Sequence, residues 1–239
     1  MWLFYVPEIS GDLVVLPEEE SLHCVNVLRL KPGHTVSLTD GKGFFYEAVI
    51  GQLKKKQVAV HVINRRKVET NRNYKLHIAI APTKNISRFE WFLEKATEIG
   101  IDEITPLITN HSERKDIRAD RMEKILLSAM KQSLKATLPK LNSVTSFTDF
   151  IQHKYSDYQL FIAYCGMKDI TLLKEVYPSG KNALILIGPE GDFAPEEVEK
   201  AVQENYTVIS LGDSRLRTET AGIVACHSFY LLNQNTSKS

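Results

Sequence analysis

The stretch LILIGPEGDFAPEE, residues 184–197, decides the fold. Four aliphatic residues run without a polar break into Gly188-Pro189-Glu190-Gly191. Ala194-Pro195-Glu196-Glu197 then opens a helix, with proline at the first helical position and acids in the first turn. An aliphatic run closed by glycine is the pattern of a strand covered on both faces. Strand, tight turn and helix together form the repeating unit of an α/β domain.

The same rhythm extends outward. KLHIAIAP (75–82), ITPLIT (104–109), YQLFIAYC (158–165), NALILIG (182–188) and YTVISLG (206–212) are near-continuous apolar runs. Helical patterns separate them. SRFEWFLEKATEIG (87–100) carries Phe89, Phe92, Leu93, Ala96 and Ile99 at helical spacing, reads Ser87 and Glu90 as a capping box, and ends at Gly100. RMEKILLSAMKQSLKATLP (121–139) predicts a helix stopped by Pro139, and 195–204 and 218–232 predict two more. Residues 1–70 have another texture. VVLP, HTVSLTD, GFFYEAVIGQL and QVAVHVINRR are rich in β-branched and aromatic residues, punctuated by Pro32-Gly33 and Asp40-Gly41-Lys42-Gly43. They predict a small β-barrel over 1–70, with ETNRNY (69–74) as the link to an α/β domain over 71–239.

Composition narrows the function classes. The 239 residues include 43% hydrophobic and 25% charged ones, as in an ordinary globular protein. A net charge of +1 requires any nucleic-acid surface to be a local concentration of lysine and arginine. No apolar run approaches the roughly 20 residues of a membrane span. MWLFYVPEIS lacks the regions of a signal peptide, so a cytoplasmic protein is expected. Cys24, Cys165 and Cys226 are isolated, which argues against a metal site.

Ligands of open α/β sheets bind beyond the carboxyl ends of the strands, where GPEG sits. Gly188 and Gly191 would let a ligand approach the backbone. A phosphate is disfavoured by the acids Glu190, Asp192, Glu196 and Glu197, and by Pro195, which offers no N–H. Read alone, the turn is equally compatible with a structural connection and a binding loop. LGDSRLRTETA (211–221) supplies a second strand end with a glycine, two arginines and a helix start. Two such strand ends, if adjacent in the sheet, would make one pocket.

The pair GPEGDF and LGDSRLRTETA resembles the signature loops of the SPOUT, or trefoil-knot, RNA methyltransferases. More narrowly, the chain resembles the family that methylates N3 of a uridine in 16S ribosomal RNA. EKATEIGIDEITPLIT matches with Glu98, Gly100 and Pro106, and KQSLKATLP with Gln132, Ser133 and Pro139. HCVNVLRLKPGHTVSLTDGKG matches with His23, Leu28, Arg29 and Gly33. The resemblance spans the whole chain. It implies a PUA-like β-barrel that helps hold RNA, followed by a knotted α/β domain with a parallel sheet. It also implies S-adenosylmethionine as cofactor, a homodimer, and 16S rRNA or the assembled small subunit as partner.

Carried over by position, the cofactor-binding residues are Tyr164, Cys165, Gly188, Pro189, Glu190, Gly191, Leu211, Gly212, Leu216, Arg217, Thr218, Thr220 and Ala221. Arg217 and Glu219 are the candidates for catalysis. Arg29, Lys55, Arg65, Arg66 and Lys135 are the candidates for RNA contact, and no metal is implied. The chain departs from the family at Asp192 (glycine in the family), Ala194 (serine), Ser214 (arginine), Lys135 (arginine) and Lys131 (glutamate). A SPOUT enzyme with another target, and a non-catalytic RNA-binding assembly protein, are the competing readings.

Overall fold

The computed structural model describes residues 2–54, 57–68, 72–166 and 170–234. The chain divides into two compact units, Met1–Thr70 with Leu127–Leu138, and Asn71–Leu126 with Pro139–Ser239. The first unit therefore takes in a segment that a boundary at residue 70 would leave in the second.

In the first unit β1 (Leu3–Tyr5), β2 (Leu13–Val15), β3 (Thr35–Thr39), β4 (Phe44–Lys54) and β5 (Gln57–Lys67) form one sheet in the order β1-β3-β4-β5-β2. Only β1–β3 is parallel. All five strands, with α1 (Glu18–Leu22) and the π-helical turn His23–Val27 between β2 and β3, surround a single core. Phe4, Leu38, Ala48, Val58 and Val60 are fully buried in it. Register shifts at Glu47/Ala48 and Ile50/Leu53 mark bulges, which bend long strands enough to curl a sheet around its own core.

The helix expected over 121–139 is shorter. It is α3 (Ala119–Gln132), and Pro139 does not end it. Leu134 takes a left-handed conformation (φ 53° for Arg29, 52° here). Leu134 N–H donates to Lys131 O, and Lys135 N–H to Met130 O. That is a Schellman stop built without glycine. After it, Gly43 N–H donates to Ala136 O, Leu138 N–H to Gly41 O, and the Thr39 hydroxyl to Ala136 O. Lys131, which departs from the family pattern, places its ammonium 2.5 and 2.8 Å from the buried Glu20 carboxylate, which also accepts from Tyr5 N–H.

The second unit holds β6 (Leu76–Ile80), β7 (Glu103–Ile108), β8 (Lys140–Leu141), β9 (Thr145–Ser146), β10 (Tyr158–Ala163), β11 (Asn182–Ile187) and β12 (Thr207–Ile209). Every pairing is parallel, in the order β12-β10-β11-β6-β7-β8, with β9 also on β7. β6 is buried at all five positions, as a strand covered on both faces must be. On one face α2 (Ile86–Ile99) and α7 (Thr218–Leu232) pack together and α7 lies on β6 and β11. Gly222 makes this close: a Cβ there would stand 2.7 Å from the Phe92 ring. On the other face α4 (Phe147–Gln152) and α6 (Pro195–Gln203) bury Phe147, Phe150, Val198 and Ala201 against Leu184 and Leu186. The short α5 (Leu173–Val176) precedes β11.

The capping box expected at Ser87 and Glu90 is not formed. Asn85 is the N-cap of α2 and its side chain accepts from Ser87 N–H, while Glu90 pairs with Arg121. Gly100 ends the helix in the left-handed region as expected. Of the link 69–74, residues 69–71 lie outside the described residues. Arg72 is anchored, donating to Gly100 O at 2.7 Å and pairing with Asp102.

Two stability predictions follow from these contacts. Lys131→Met strands the Glu20 carboxylate and should lower stability by roughly 3 kcal/mol in denaturant unfolding, and adding Glu20→Met should recover most of that loss. His77, buried with Nε2 2.8 Å from the Thr105 hydroxyl, has its pKa pushed down to about 4, mainly by burial. Between the ordinary value of 6.5 and about 4, the unfolded chain takes up a proton that the folded chain refuses. Stability should therefore fall as pH falls through that window, by at most about 1.4 kcal/mol per pH unit for this group. His77→Gln should remove this component of the slope.

Candidate functional site

The carboxyl ends of four strands stand level. Ala163 of β10 is in register with Ile187 of β11 and Ile209 of β12, and Ile187 with Ile80 of β6. The loops beginning at Tyr164, Gly188, Ser210 and Ala81 thus leave the sheet side by side. Parallel pairing sets this, because each strand's last residue fixes where its neighbour's loop starts. Tyr164 N–H donates to Ile209 O, Ala81 N–H to Ile187 O, and Leu173 N–H to Ser210 O, which joins these loops at their roots.

The acids of the GPEGD turn are held by backbone amides. Glu190 Oε1 accepts from Lys84 N–H at 3.0 Å. Asp192 Oδ2 accepts from Cys165 N–H at 3.0 Å and its Oδ1 from Phe193 N–H at 2.9 Å. The buried Glu197 accepts from Ala194 N–H and Asn110 N–H, both at 2.9 Å, serving the α6 start where Ala194 has no side-chain acceptor. Three of the four acids that disfavour a phosphate thus have a structural role in holding backbone amides. Asp192 sits at φ 61°, a left-handed position that aspartate tolerates better than most side chains, and its carboxylate gains the bond to Cys165.

The turn's glycines answer to their own loop. A Cβ on Gly188 would lie 3.1 Å from the Phe193 ring, and one on Gly191 3.2 Å from His111 Cβ. His111 Nδ1 lies 3.1 and 3.0 Å from the Gly191 and Asp192 carbonyls. Gly212 is different: its φ is +126°, and nothing lies within 4 Å of where a Cβ would be. It stands in open space beyond the end of β12.

At the start of α7 the structure brings together Thr218 and Glu219, both buried. The Thr218 hydroxyl and Glu219 Oε2 have no hydrogen-bond partner among the described residues. Glu219 Oε1 lies 3.8 Å from Arg88 of α2. Buried polar atoms without partners are rare, and the Thr218 hydroxyl and Glu219 Oε2 are left to bond a ligand or an ordered water; the Tyr206 hydroxyl, away from these loops, is also without a partner among the described residues. Arg217 is the N-cap residue, exposed, with no side-chain partner among the described residues. Cys165 is exposed, and desolvation and Asp192 push its thiol pKa up against the lowering effect of Arg215. It is no ready nucleophile. Sequence reasoning missed Arg88. The signal available was the acid at the α7 start, which needs a cation when buried.

The RNA candidates scatter. Arg65 and Arg66 point to opposite faces of β5: Arg65 stacks on Phe44 and Tyr46, and Arg66 lies 5.9 Å from the Phe45 ring centre. Arg29 is exposed, and Lys135 follows the α3 stop. Lys55 lies outside the described residues. Around the start of α3, Arg118 pairs with Asp120, Arg121 with Glu90, and Arg114 donates to the Thr83 and Lys84 carbonyls.

Comparison with known proteins bears on this geometry. The family described as RNA methyltransferase domain matches residues 70–229, and the RNA methyltransferase PUA domain matches 16–63. The crystal structure of a probable rRNA-methyltransferase from Porphyromonas gingivalis is 42% identical, with TM-score 0.91 over 98% of both chains. A ribosomal RNA small subunit methyltransferase E from Neisseria gonorrhoeae, solved bound to S-adenosyl methionine, is 26% identical, with TM-score 0.87 over 98% of both chains. The Bacillus subtilis ribosomal RNA small subunit methyltransferase E is 27% identical over 87% of this chain and 85% of its own length. The α/β domain with a parallel sheet and the PUA-like N-terminal unit are thus as the sequence predicts. The chain belongs to the RNA methyltransferase domain family.

Proposed function

We propose that the protein transfers a methyl group from S-adenosylmethionine to N3 of a uridine in 16S ribosomal RNA. The observation that carries the reading is the level set of strand ends, with open space at Gly212 and unpartnered buried polar atoms at Thr218 and Glu219. These groups fit the hydroxyl and ammonium functions of that cofactor, and the acids of the turn leave no welcome for a phosphate. Relatives named ribosomal RNA small subunit methyltransferase E, one of them solved bound to S-adenosyl methionine, support it.

In this reading the backbone of Gly188–Gly191, Leu211–Gly212 and Leu216–Ala221, with Tyr164 and Cys165, walls the cofactor. Thr218 and Thr220 supply hydroxyls. The bound cofactor supplies an electrophilic methyl. Uracil N3 would give up its proton to solvent, leaving an anion whose charge spreads onto the two flanking carbonyl oxygens; its electron pair would then form the N–C bond as the methyl–sulfur bond breaks and the sulfur leaves as a neutral thioether. Arg217, unpaired beside the α7 start, donates to that charge. Glu219 acts by holding Arg88 in place. Arg29, Lys55, Arg65, Arg66 and Lys135 contact the RNA.

We also infer a knotted chain. From β12 at the sheet edge, residues 210–217 must pass β10 to reach α7, which lies on β6 and β11. The segment between β10 and β11 pairs with Ser210 along that path. A homodimer is inferred from the exposed Tyr230 and Leu231 at the end of α7, and a cytoplasmic location follows from the substrate.

Deleting the gene should abolish 3-methyluridine from the host's 16S RNA, with restoration by the wild-type chain and not by Arg217→Ala. Persistence of the modified base in the deletion strain would sink the assignment. Thr218→Val tests the cofactor pocket. Removing an unpartnered buried hydroxyl should leave the ligand-free melting temperature unchanged or higher, while S-adenosylmethionine affinity by calorimetry drops about tenfold. Unaltered affinity would remove Thr218 from the site.

A further inference from the structure

The outer face of β3, β4 and β5 in the first unit is not an ordinary solvated surface. Strand alternation puts Thr35, Ser37, Phe45, Glu47, Asn64 and Arg66 on one side. Cross-strand register aligns Ser37, Glu47 and Asn64 in one row, and Thr39, Phe45 and Arg66 in the next. These residues line an open groove of about 690 Å³, walled by Trp2 and Leu134, within the size range of small-ligand sites. Trp2 is 43% exposed and stacked on His34 at 6.1 Å, so a large aromatic face is held in water. Phe45 is half-buried in the groove wall, with the Arg66 guanidinium over its ring.

We propose that this groove holds one unstacked guanine of the RNA substrate. The inference rests on the RNA-methylating reading above and names a base contact of its own. Flat aromatic faces on a sheet capture splayed-out bases, because stacking replaces what the base loses on leaving its strand. The edge chemistry selects the base. The Glu47 carboxylate has no partner among the described residues and lies in the centre of the face. A carboxylate repels phosphate and accepts two parallel hydrogen bonds. Guanine alone among the four bases presents two adjacent donors, N1–H and the 2-amino group. Cytosine and adenine set a ring acceptor beside their amino group, and uracil flanks its single N–H with two carbonyls. Asn64, paired across from Glu47, supplies an amide donor for the guanine O6, and Arg66 a donor for N7 or the adjoining phosphate.

The test uses the full chain carrying Trp91→Phe, which leaves Trp2 as the fluorophore. Short single-stranded oligouridylates containing one central guanosine should quench Trp2 saturably. Replacing that guanosine by inosine, which lacks the 2-amino group, should weaken binding about tenfold, and uridine at least as much. Glu47→Gln should erase the preference, and Phe45→Ala should abolish the quench while the melting curve stays cooperative. Equal affinity for guanosine, inosine and uridine, or a preference that survives Glu47→Gln, would overturn the proposal. Methylation of 16S RNA by the same protein is measured in parallel. Methylation without guanosine-dependent quenching refutes the guanine site alone, and absence of methylation refutes the function on which it rests.

Discussion

The requirement that backbone amides near a sheet end find acceptors organises the second unit. Four loops leave the sheet together, and each carries N–H groups that no strand satisfies. The GPEGDF turn and the first turn of α6 meet this need with side chains. Glu190 takes an amide from the loop after β6, Asp192 one from the loop after β10, and Glu197 one from the segment after β7. The turn and the helix start that follows it thereby fix three neighbouring segments, and the loop cluster at this end of the sheet is held rigid. Rigidity there has chemical value, since a methyl transfer gains most when the reacting groups are held in line beforehand.

The second unit is legible in the sequence because its strands are buried on both faces and its turns use glycine. Uninterrupted runs such as LILI leave no competing assignment, and Gly100 and Gly188 mark real ends. The start of α2 is less legible because Asn85 and Ser87 are both good caps, and position alone does not choose between them. The end of α3 is illegible. Leu134 adopts a glycine-like conformation, and what holds it there is the pairing of 136–138 with Thr39, Gly41 and Gly43, nearly a hundred residues away. β1 is missed for a related reason: three residues gain strand character only by lying parallel to β3.

The site divides in the same way. The loops that carry it follow from strand ends and glycines. The division of labour inside them does not, because charge in a sequence does not show where it points. Four acids between Glu190 and Glu197 read as a barrier to phosphate, yet three of them serve the backbone. Conversely, Glu219 reads as a helix-start acid and is found buried against Arg88, with one oxygen left over. Arg65 and Arg66 are adjacent in sequence and serve opposite faces.

The first unit is assembled from two pieces of chain, with residues 71–126 made between them. On a ribosome adding roughly 5–20 residues per second, residues 1–70 emerge seconds before Leu127–Leu138 arrive. Through that interval Glu20 waits without Lys131, and Thr39 and Gly43 wait without Ala136. The amino-terminal sheet is therefore not the first unit to finish simply because it is made first. Its completion is timed by a segment that emerges after β6, α2 and β7 are already outside the tunnel.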